Sequence, residues 1–202
     1  MEGGDGATLK VVVLHGSPRR GGNTDILAEA MLSQAQGRNV KTVHLFASRM
    51  RIKPCTGCGG CEREGRCVLD DQMARVYPLL EQSHRILIAT PVYFYGVTAQ
   101  LKLMIDRCQP LWSRKYLLGN PLPTHLDGLE RRGYLVAAAG SSGKRVFEGV
   151  LLTVGIFLDA LNVRFKDSLL VRGVDRKAQV YDLPHELQRA QAIGRDMVSE
   201  DL

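Results

Sequence analysis

Four of the five cysteines in this 202-residue chain lie close together in a glycine-rich segment. In the spacing C-x2-C-x2-C-x5-C, they are Cys55, Cys58, Cys61 and Cys67. Three cysteines at three-residue intervals can direct their thiolates around one centre from a single loop. Gly57, Gly59 and Gly60 supply the backbone freedom that the tight turns of such a loop require. The pattern therefore predicts a metal-binding loop at residues 54–70.

The four thiols could bind a cluster of iron and sulfide, form disulfides, bind zinc or act as free redox groups. Residues 1–8 lack the composition of a signal peptide, which predicts a cytoplasmic protein in which disulfides are disfavoured. Structural zinc sites usually show two separated C-x-x-C pairs, whereas the overlapping run here favours iron and sulfide. Zinc and free redox thiols remain as alternatives. The fifth cysteine, Cys108, has no cysteine neighbour in the sequence and is predicted to be a buried core thiol.

Composition limits the classes of protein that fit. At 202 residues and 45% hydrophobic content, the chain is long enough for one domain, residues 1–202, with a full core. The net charge of +6 is spread along the sequence with few interleaved aromatic residues, so no nucleic-acid partner is predicted. No apolar stretch reaches the roughly 18 residues of a membrane span. The five histidines are dispersed, and no catalytic triad or other catalytic residue is nominated.

Apolar strands alternate with helical patterns, which is typical of a parallel sheet covered by helices on both faces. The predicted strands are residues 10–15, 40–46, 85–90, 133–139 and about 163–171. Helical spacing of apolar residues predicts helices after the first strand, near Met73, near Leu101 and from Pro184 toward Val198. The fold class is therefore α/β, with a doubly wound five-stranded parallel sheet.

One further helical segment, residues 146–158, is apolar almost all round. A monomer would leave one face of such a helix uncovered, which predicts a homo-oligomer. Residues 108–132 are longer than an ordinary crossover loop and could cover a cofactor or a neighbouring subunit; the alternative is irregular surface packing.

Ligands of such sheets bind beyond the carboxyl ends of the strands, so the loops there matter most. The loop after the first strand, residues 16–24, combines small residues and hydroxyl groups with the start of a helix, which suits an anion such as a monophosphate. It has neither the dinucleotide nor the triphosphate glycine spacing. The alternative is an ordinary glycine-rich loop in which Asn23 or Thr24 caps the helix.

Two more strand-end loops could complete a ligand pocket. Residues 90–102 bring three consecutive aromatic residues, Tyr93, Phe94 and Tyr95, which could line the edge of a flat heteroaromatic ring. The alternative is that these aromatics only pack against the following helix. Residues 139–144 are small enough to allow a close approach of the backbone to a ligand.

Together these loops resemble the flavodoxin-like NAD(P)H-dependent FMN reductases, and with the cysteine loop the chain resembles the iron-sulfur flavoproteins of that superfamily. The motifs that carry the resemblance are Gly16-Ser17-Pro18-Arg19, Gly22-Asn23-Thr24, Cys55 to Asp71, Thr90-Pro91-Val92-Tyr93, Leu101-Lys102 and Asp106-Arg107. The resemblance implies a sheet order of 2-1-3-4-5 and a role in electron transfer, with NAD(P)H or a small redox carrier as partner.

The resemblance also implies specific binding residues. FMN would be held by Ser17, Arg19, Asn23 and Thr24 at its phosphate, by Pro91, Val92, Tyr93, Phe94, Tyr95 and Gly96 along its ring system, and by Gly140, Ser141, Ser142 and Gly143. Cys55, Cys58, Cys61 and Cys67 would bind a 4Fe-4S cluster. Paired subunits, as a homodimer or homotetramer, would bring flavin and cluster within electron-transfer reach. The two alternatives are a cluster-free NAD(P)H:FMN or quinone reductase and a non-enzymatic redox sensor.

Overall fold

Seven β-strands and seven α-helices follow one another in residues 8–199, the part of the chain that the computed structural model describes. The strands are β1 (Leu9–His15), β2 (Val40–Phe46), β3 (Arg85–Pro91), β4 (His125–Leu126), β5 (Leu129–Glu130), β6 (Arg132–Ala139) and β7 (Arg164–Arg172). The helices are α1 (Asn23–Leu32), α2 (Gly60–Glu64), α3 (Met73–Glu81), α4 (Ala99–Asp106), α5 (Gln109–Tyr116), α6 (Glu148–Ala160) and α7 (Pro184–Met197). Most of the amino-terminal segment considered for a signal peptide lies outside the described residues.

The five long strands form one parallel sheet in the order β2-β1-β3-β6-β7. Counted as sheet strands in chain order, this is the expected 2-1-3-4-5 arrangement, and each strand begins and ends within one residue of its prediction. The flavodoxin-like α/β fold is confirmed. Because all five strands run the same way, their carboxyl ends share one edge of the sheet.

Two apolar cores lie on the two faces of the sheet. On one face, α1 and α7 pack through residues such as Leu27 and Ala190. On the other face, α3, α4 and α6 pack through residues such as Val76, Met104 and Val154. Strand β6, which lies between β3 and β7, is buried along its whole length, as expected for a strand covered on both sides.

The alternative of irregular surface packing at residues 108–132 is wrong in part. This segment contains α5 and an antiparallel hairpin of the two-residue strands β4 and β5. Helix α5 is difficult to detect in the sequence because it has only 8 residues and begins beside Pro110. Pro110 fits there because the first turn of a helix needs no proline N–H.

The all-round apolar helix forms as α6, two residues later than predicted, and one of its faces is open. Leu152 and Ile156, one turn apart on α6, are 72% and 66% exposed. None of the helices in residues 8–199 has both the length and the apolar content that a membrane crossing requires.

Candidate functional site

The carboxyl ends of β1, β3, β6 and β7 open into a small cavity of about 80 Å³. Residues from all the predicted strand-end loops line it, namely Ser17, Arg19, Asn23, Thr24, Pro91, Val92, Tyr93 and Gly140. The structure adds two residues that the sequence analysis missed, Asp175 and Lys177, from the loop after β7. In a parallel sheet, the loop after β7 also lies at the carboxyl edge of the strands, but its sequence carries no distinctive motif.

The loop after β1 ends at Gly22, which caps α1 without any side-chain hydrogen bond. The alternative in which Asn23 or Thr24 caps the helix is therefore wrong. In the first turn of a helix, backbone N–H groups have no acceptor within the helix and point to its amino end. These free N–H groups and the helix dipole make the first turn of α1 suitable for binding an anion.

The side chains around this anion loop (residues 16–24) are already held in place. The Ser17 hydroxyl donates to the Arg19 carbonyl at 3.0 Å and accepts from the Arg19 N–H at 3.1 Å. The Asn23 amide donates to the Arg176 carbonyl at 3.0 Å and accepts from the Val180 N–H at 3.1 Å. Both polar atoms of the Asn23 side chain are therefore used to fix α1 to the loop after β7.

The three aromatic residues after β3 form an exposed tight turn, the aromatic turn (residues 93–96). Tyr93 and Gly96 exchange two backbone hydrogen bonds of 3.0 Å. Phe94 and Tyr95 have φ values of 49° and 63°, in the left-handed region that side chains rarely adopt. Phe94 is fully exposed, so the alternative in which these aromatics pack the following helix is wrong for Phe94. An exposed aromatic side chain on a fixed backbone is suited to contact a flat ligand.

The loop after β6 borders the aromatic turn. A Cβ atom on Gly143 would lie 3.7 Å from the Tyr95 hydroxyl, and one on Gly140 would lie 3.1 Å from the Asp175 Cβ. The Ser141 hydroxyl accepts from the Gly143 N–H at 3.2 Å. Of this predicted group, only Gly140 lines the cavity, while Ser141, Ser142 and Gly143 lie outside its lining.

The four clustered cysteines line a second and larger cavity, of about 630 Å³. All of them are free thiols; Cys55 and Cys58 are exposed, whereas Cys61 and Cys67 are half-buried. Helix α4 forms another wall through Ala99, Lys102, Leu103 and Asp106. The Ser113 hydroxyl of α5 lies 3.7 Å from the Cys61 sulfur.

The spacing of the thiols bears on which metal they could hold. In a tetrahedral zinc site with Zn–S bonds of about 2.3 Å, the sulfurs lie about 3.8 Å apart. Within residues 8–199, no three thiols have sulfurs that lie within 4.8 Å of one another. Arranged in this way, the thiols do not form a ready-made zinc site.

Glycines shape the cysteine loop in two ways. Gly57 and Gly59 have φ values of 66° and 70°, which confirms that the turns need glycine there. Gly60 serves close packing instead, because a Cβ atom on it would lie 2.8 Å from the Val68 Cγ1.

A buried ion pair fastens the two ends of the cysteine loop. Arg107 donates to the Asp71 carboxylate at 2.6 Å and to the Lys53 carbonyl at 2.8 Å. Asp71 also accepts the Lys53 N–H at 2.8 Å and the Met73 N–H at 2.8 Å. Burial favours the neutral form of Asp71, but the hydrogen bonds from Arg107 and these two amides outweigh it and lower the pKa of the carboxyl. Within residues 8–199, the buried Arg107 Nε–H at the wall of the cavity has no hydrogen-bond acceptor.

Cys108 lies apart from the other four cysteines. It is 3% exposed, packs in the larger core and lies within reach of the Met104 carbonyl, which confirms the prediction of a core thiol. Burial raises the pKa of the Cys108 thiol.

Two histidines that the sequence separates are brought together by the sheet. His15 and His44 lie on the adjacent strands β1 and β2, with ring nitrogens 3.0 Å apart. The expectation that the histidines are dispersed is wrong for this pair, because a sequence does not give the register between parallel strands.

Comparison with known proteins agrees with this arrangement. The family model described as NADPH-dependent FMN reductase matches residues 9–167. The chain belongs to this family. Within the NADPH-dependent FMN reductase family, an iron-sulfur flavoprotein of Archaeoglobus fulgidus is 41% identical over 111 residues, 55% of this chain and 50% of that protein. An iron-sulfur flavoprotein of Methanosarcina thermophila is 34% identical over 126 residues, 62% of this chain and 66% of that protein.

A solved structure extends the likeness over the whole fold. The NAD(P)H:quinone oxidoreductase from Methanothermobacter marburgensis superposes with a TM-score of 0.70 at 16% identity, covering 97% of this chain and 99% of that one. At that identity the superposition establishes the fold. The chain spans about half to two thirds of the length of the two iron-sulfur flavoproteins.

Proposed function

We propose that this protein is an FMN-dependent oxidoreductase with a 4Fe-4S cluster on Cys55, Cys58, Cys61 and Cys67. Electrons would pass between NAD(P)H or a small redox carrier, the flavin and the cluster. The observation that carries the proposal is that one helix, α4, joins the two candidate sites. It begins directly after the aromatic turn and forms a wall of the cysteine cavity.

Hydrogen bonds fix α4 to the anion loop. The Thr98 hydroxyl, at the start of α4, donates to the Gly16 carbonyl at 2.7 Å and accepts from the Leu101 N–H at 3.4 Å. Two cofactors bound on either side of this helix would be held in a fixed relation to each other, which electron transfer requires.

The anion site fits the phosphate end of FMN. The cavity of about 80 Å³ has room for a phosphate but not for a three-ring flavin. The amides of the first turn of α1 would bind the phosphate, with Arg19 and Lys177 adding positive charge and Asp175 opposing it. The ring system would lie outside the cavity against the aromatic turn, where its edges could meet backbone amides.

The cysteine cavity fits a cluster in its donors and its size. Four thiols line a space of about 630 Å³, and residues of low polarity, such as Pro54, Val68 and Leu69, form much of the remaining wall. The polarity of the groups around a cluster is one of the factors that tune its potential. Arg107 and Asp71 would keep the loop closed around the cluster.

The chemistry would come from the cofactors. Flavin supplies hydride or two-electron transfer, and an iron-sulfur cluster supplies one-electron transfer. The chain would bind and orient them and would exclude water, and no side chain is assigned as an acid or a base.

Subunits would pair through the open face of α6. Leu152 and Ile156, together with Trp112, line a cavity of about 380 Å³. An exposed apolar surface of this kind is typical of an interface between subunits. A homodimer or homotetramer would cover it.

The second candidate is a cluster-free NAD(P)H:FMN or quinone reductase with redox-active thiols. Its support is the exposure of Cys55 and Cys58, since accessible thiols are the ones that react with oxidants.

Matched cysteine variants test the cluster. Cys58→Ala, purified without oxygen and reconstituted with iron and sulfide, should lose its iron and keep its FMN. Cys108→Ala, which removes the thiol outside the cavity, should keep both. Full iron content in Cys58→Ala would reject the cluster assignment and favour the cluster-free reductase.

A further inference from the structure

A third group of potential ligands lies outside both candidate sites, where β1, β2 and α1 meet. The His15 Nε2 and His44 Nδ1 atoms are 3.0 Å apart, and the Glu29 Oε1 atom is 4.0 Å from His44 Nδ1. One ligand atom from each of these three residues lies within 4.8 Å of the other two. In residues 8–199 this is the one group of three histidine, cysteine or acidic side chains that converges so closely.

The fold fixes the position of the two histidines. In the parallel register, Val13 lies opposite His44 and His15 lies opposite Phe46, so His15 and His44 are two residues apart along the ladder on the same side. His15 stacks on Phe46 with ring centroids 4.3 Å apart. This stacking and the burial of His15, which is 1% exposed, hold its ring in one orientation.

Asp25 orients the His15 ring through a hydrogen bond to its Nδ1 atom. Its carboxylate lies 2.9 Å from His15 Nδ1 and also accepts the Gly21 N–H at 2.9 Å. Because a carboxylate only accepts hydrogen bonds, it keeps the proton on Nδ1 and leaves a lone pair on Nε2, which points toward His44. A carboxylate behind a histidine in this way is the usual support of a metal-bound imidazole.

We propose that His15 Nε2, His44 Nδ1 and the Glu29 carboxylate bind a divalent transition-metal ion such as zinc, with water as the fourth ligand. Two nitrogens at about 2.0–2.1 Å from a tetrahedral ion lie about 3.3 Å apart. On binding, the partly exposed His44 ring would turn slightly away from His15, and the present His15–His44 hydrogen bond would be replaced by two bonds to the ion. Glu29 is exposed and free to move the short distance required. Two imidazoles and one carboxylate favour zinc, nickel or copper over magnesium and calcium.

The charged groups around the three ligands determine the affinity of the site for a cation. The guanidinium groups of Arg20 and Arg49 lie 4.9 and 5.6 Å from the centre of the Phe46 ring and oppose a cation. The carboxylates of Asp25 and Glu29 favour it. With two charges of each sign nearby, we expect moderate affinity.

A bound ion would act on the anion loop. It would connect the edge strand β2 to α1 and, through His15 and Asp25, to the Gly21 N–H of the loop. The site would therefore hold the anion loop in place whether or not flavin or cluster is bound.

Imidazole nitrogen NMR tests the site directly, because the four clustered thiols also take up zinc and would obscure a simple binding measurement. Zinc is added to the ¹⁵N-labelled full-length protein until it exceeds what the thiols bind. The ring signals of His15 and His44 should then shift and saturate, whereas those of His125, exposed on the β4–β5 hairpin, should not change. Magnesium at the same concentration should leave all histidine signals unchanged.

Glu29→Gln is the matched variant, because the residue is exposed and its replacement leaves the core intact. It should raise the zinc concentration at half-saturation of the His15 and His44 signals at least tenfold. Histidine signals that do not move in the folded protein under excess zinc would overturn the proposal, since all zinc would then be on the thiols. An unchanged half-saturation in Glu29→Gln would overturn the three-ligand assignment.

Discussion

At the residue scale, the binding chemistry depends on a few side chains whose environment the fold determines. The same residue type has different roles at different places in this chain. Cys55, Cys58, Cys61 and Cys67 face a cavity, whereas Cys108 is sealed in the core. The sequence separates these two roles correctly because the spacing of cysteines is itself a signal.

Ser17 offers a direct test of the anion site. It is buried at the cavity wall, 7% exposed, so Ser17→Glu would place a carboxylate where the phosphate is expected. Two like charges there repel each other, and we expect FMN affinity to fall by at least a hundredfold. Ser17→Ala, which removes only the hydroxyl, should weaken binding by tenfold or less. Equal flavin content in Ser17→Glu and the wild-type protein would refute the placement of the phosphate.

The ion pair of Asp71 and Arg107 predicts a dependence of stability on pH. The pKa of Asp71 is lowered from its ordinary value of 3.8. A lowered pKa means that ionised Asp71 stabilises the folded chain above about pH 3.8, and that this contribution is lost as the pH falls through the lowered pKa.

Asp71→Asn isolates that contribution. Because both partners are buried, the variant should reduce the free energy of unfolding at pH 7 by about 3 kcal/mol. Urea unfolding between pH 7 and pH 3 should show the difference from the wild-type protein shrinking toward acid pH. A difference that is constant across this range would contradict the assigned role of the ion pair.

At the element scale, the long elements can be read from the sequence and the short ones cannot. Continuous apolar runs define β1, β3 and β6 because these strands are buried on both faces. Helix α2 has only 5 residues and lies between two glycines with positive φ. Its amphipathic pattern is too short to detect, and tertiary packing against α5 supports it.

The parts of the candidate site that depend on topology could be predicted from the sequence, and the parts that depend on contacts between distant residues could not. Strand-end position is a property of the topology, so the loops after β1, β3 and β6 could be identified before the structure was known. The Arg107 contacts with Lys53 and Asp71, and the meeting of His15 with His44, join residues far apart in sequence. Such contacts depend on register and on loop conformation, for which a single sequence holds no local signal.

The approach of α6 to the aromatic turn gives a prediction at this scale. A Cβ atom on Gly149 would lie 2.5 Å from the Tyr95 carbonyl oxygen, closer than such atoms approach. Gly149→Ala should therefore displace the aromatic turn and weaken FMN binding about tenfold or more, measured by flavin fluorescence titration. Gly155→Ala, on the same helix with open space around it, is the matched control and should bind FMN normally. Equal affinities in both variants would show that the turn does not contact the flavin.

At the scale of the whole molecule, the parallel sheet brings two candidate binding regions to neighbouring loops and leaves one helix face uncovered. Leu152→Asp places a charge on that face of α6, which is exposed and so tolerates the change in a monomer. We expect the variant to dissociate into folded monomers. Sedimentation velocity measures this, with Tyr181→Asp, at an exposed aromatic residue away from α6, as control. An unchanged oligomer in Leu152→Asp would show that subunits pair elsewhere.

The central claim is that one chain holds both flavin and cluster, and oxygen-free isolation of the wild-type protein tests it most directly. We expect flavin absorption bands together with the broad visible absorption of an iron-sulfur cluster. We also expect one FMN with about four iron and four acid-labile sulfide per chain. Protein that lacks either FMN or iron and sulfide, after anaerobic reconstitution with all three, would contradict this claim.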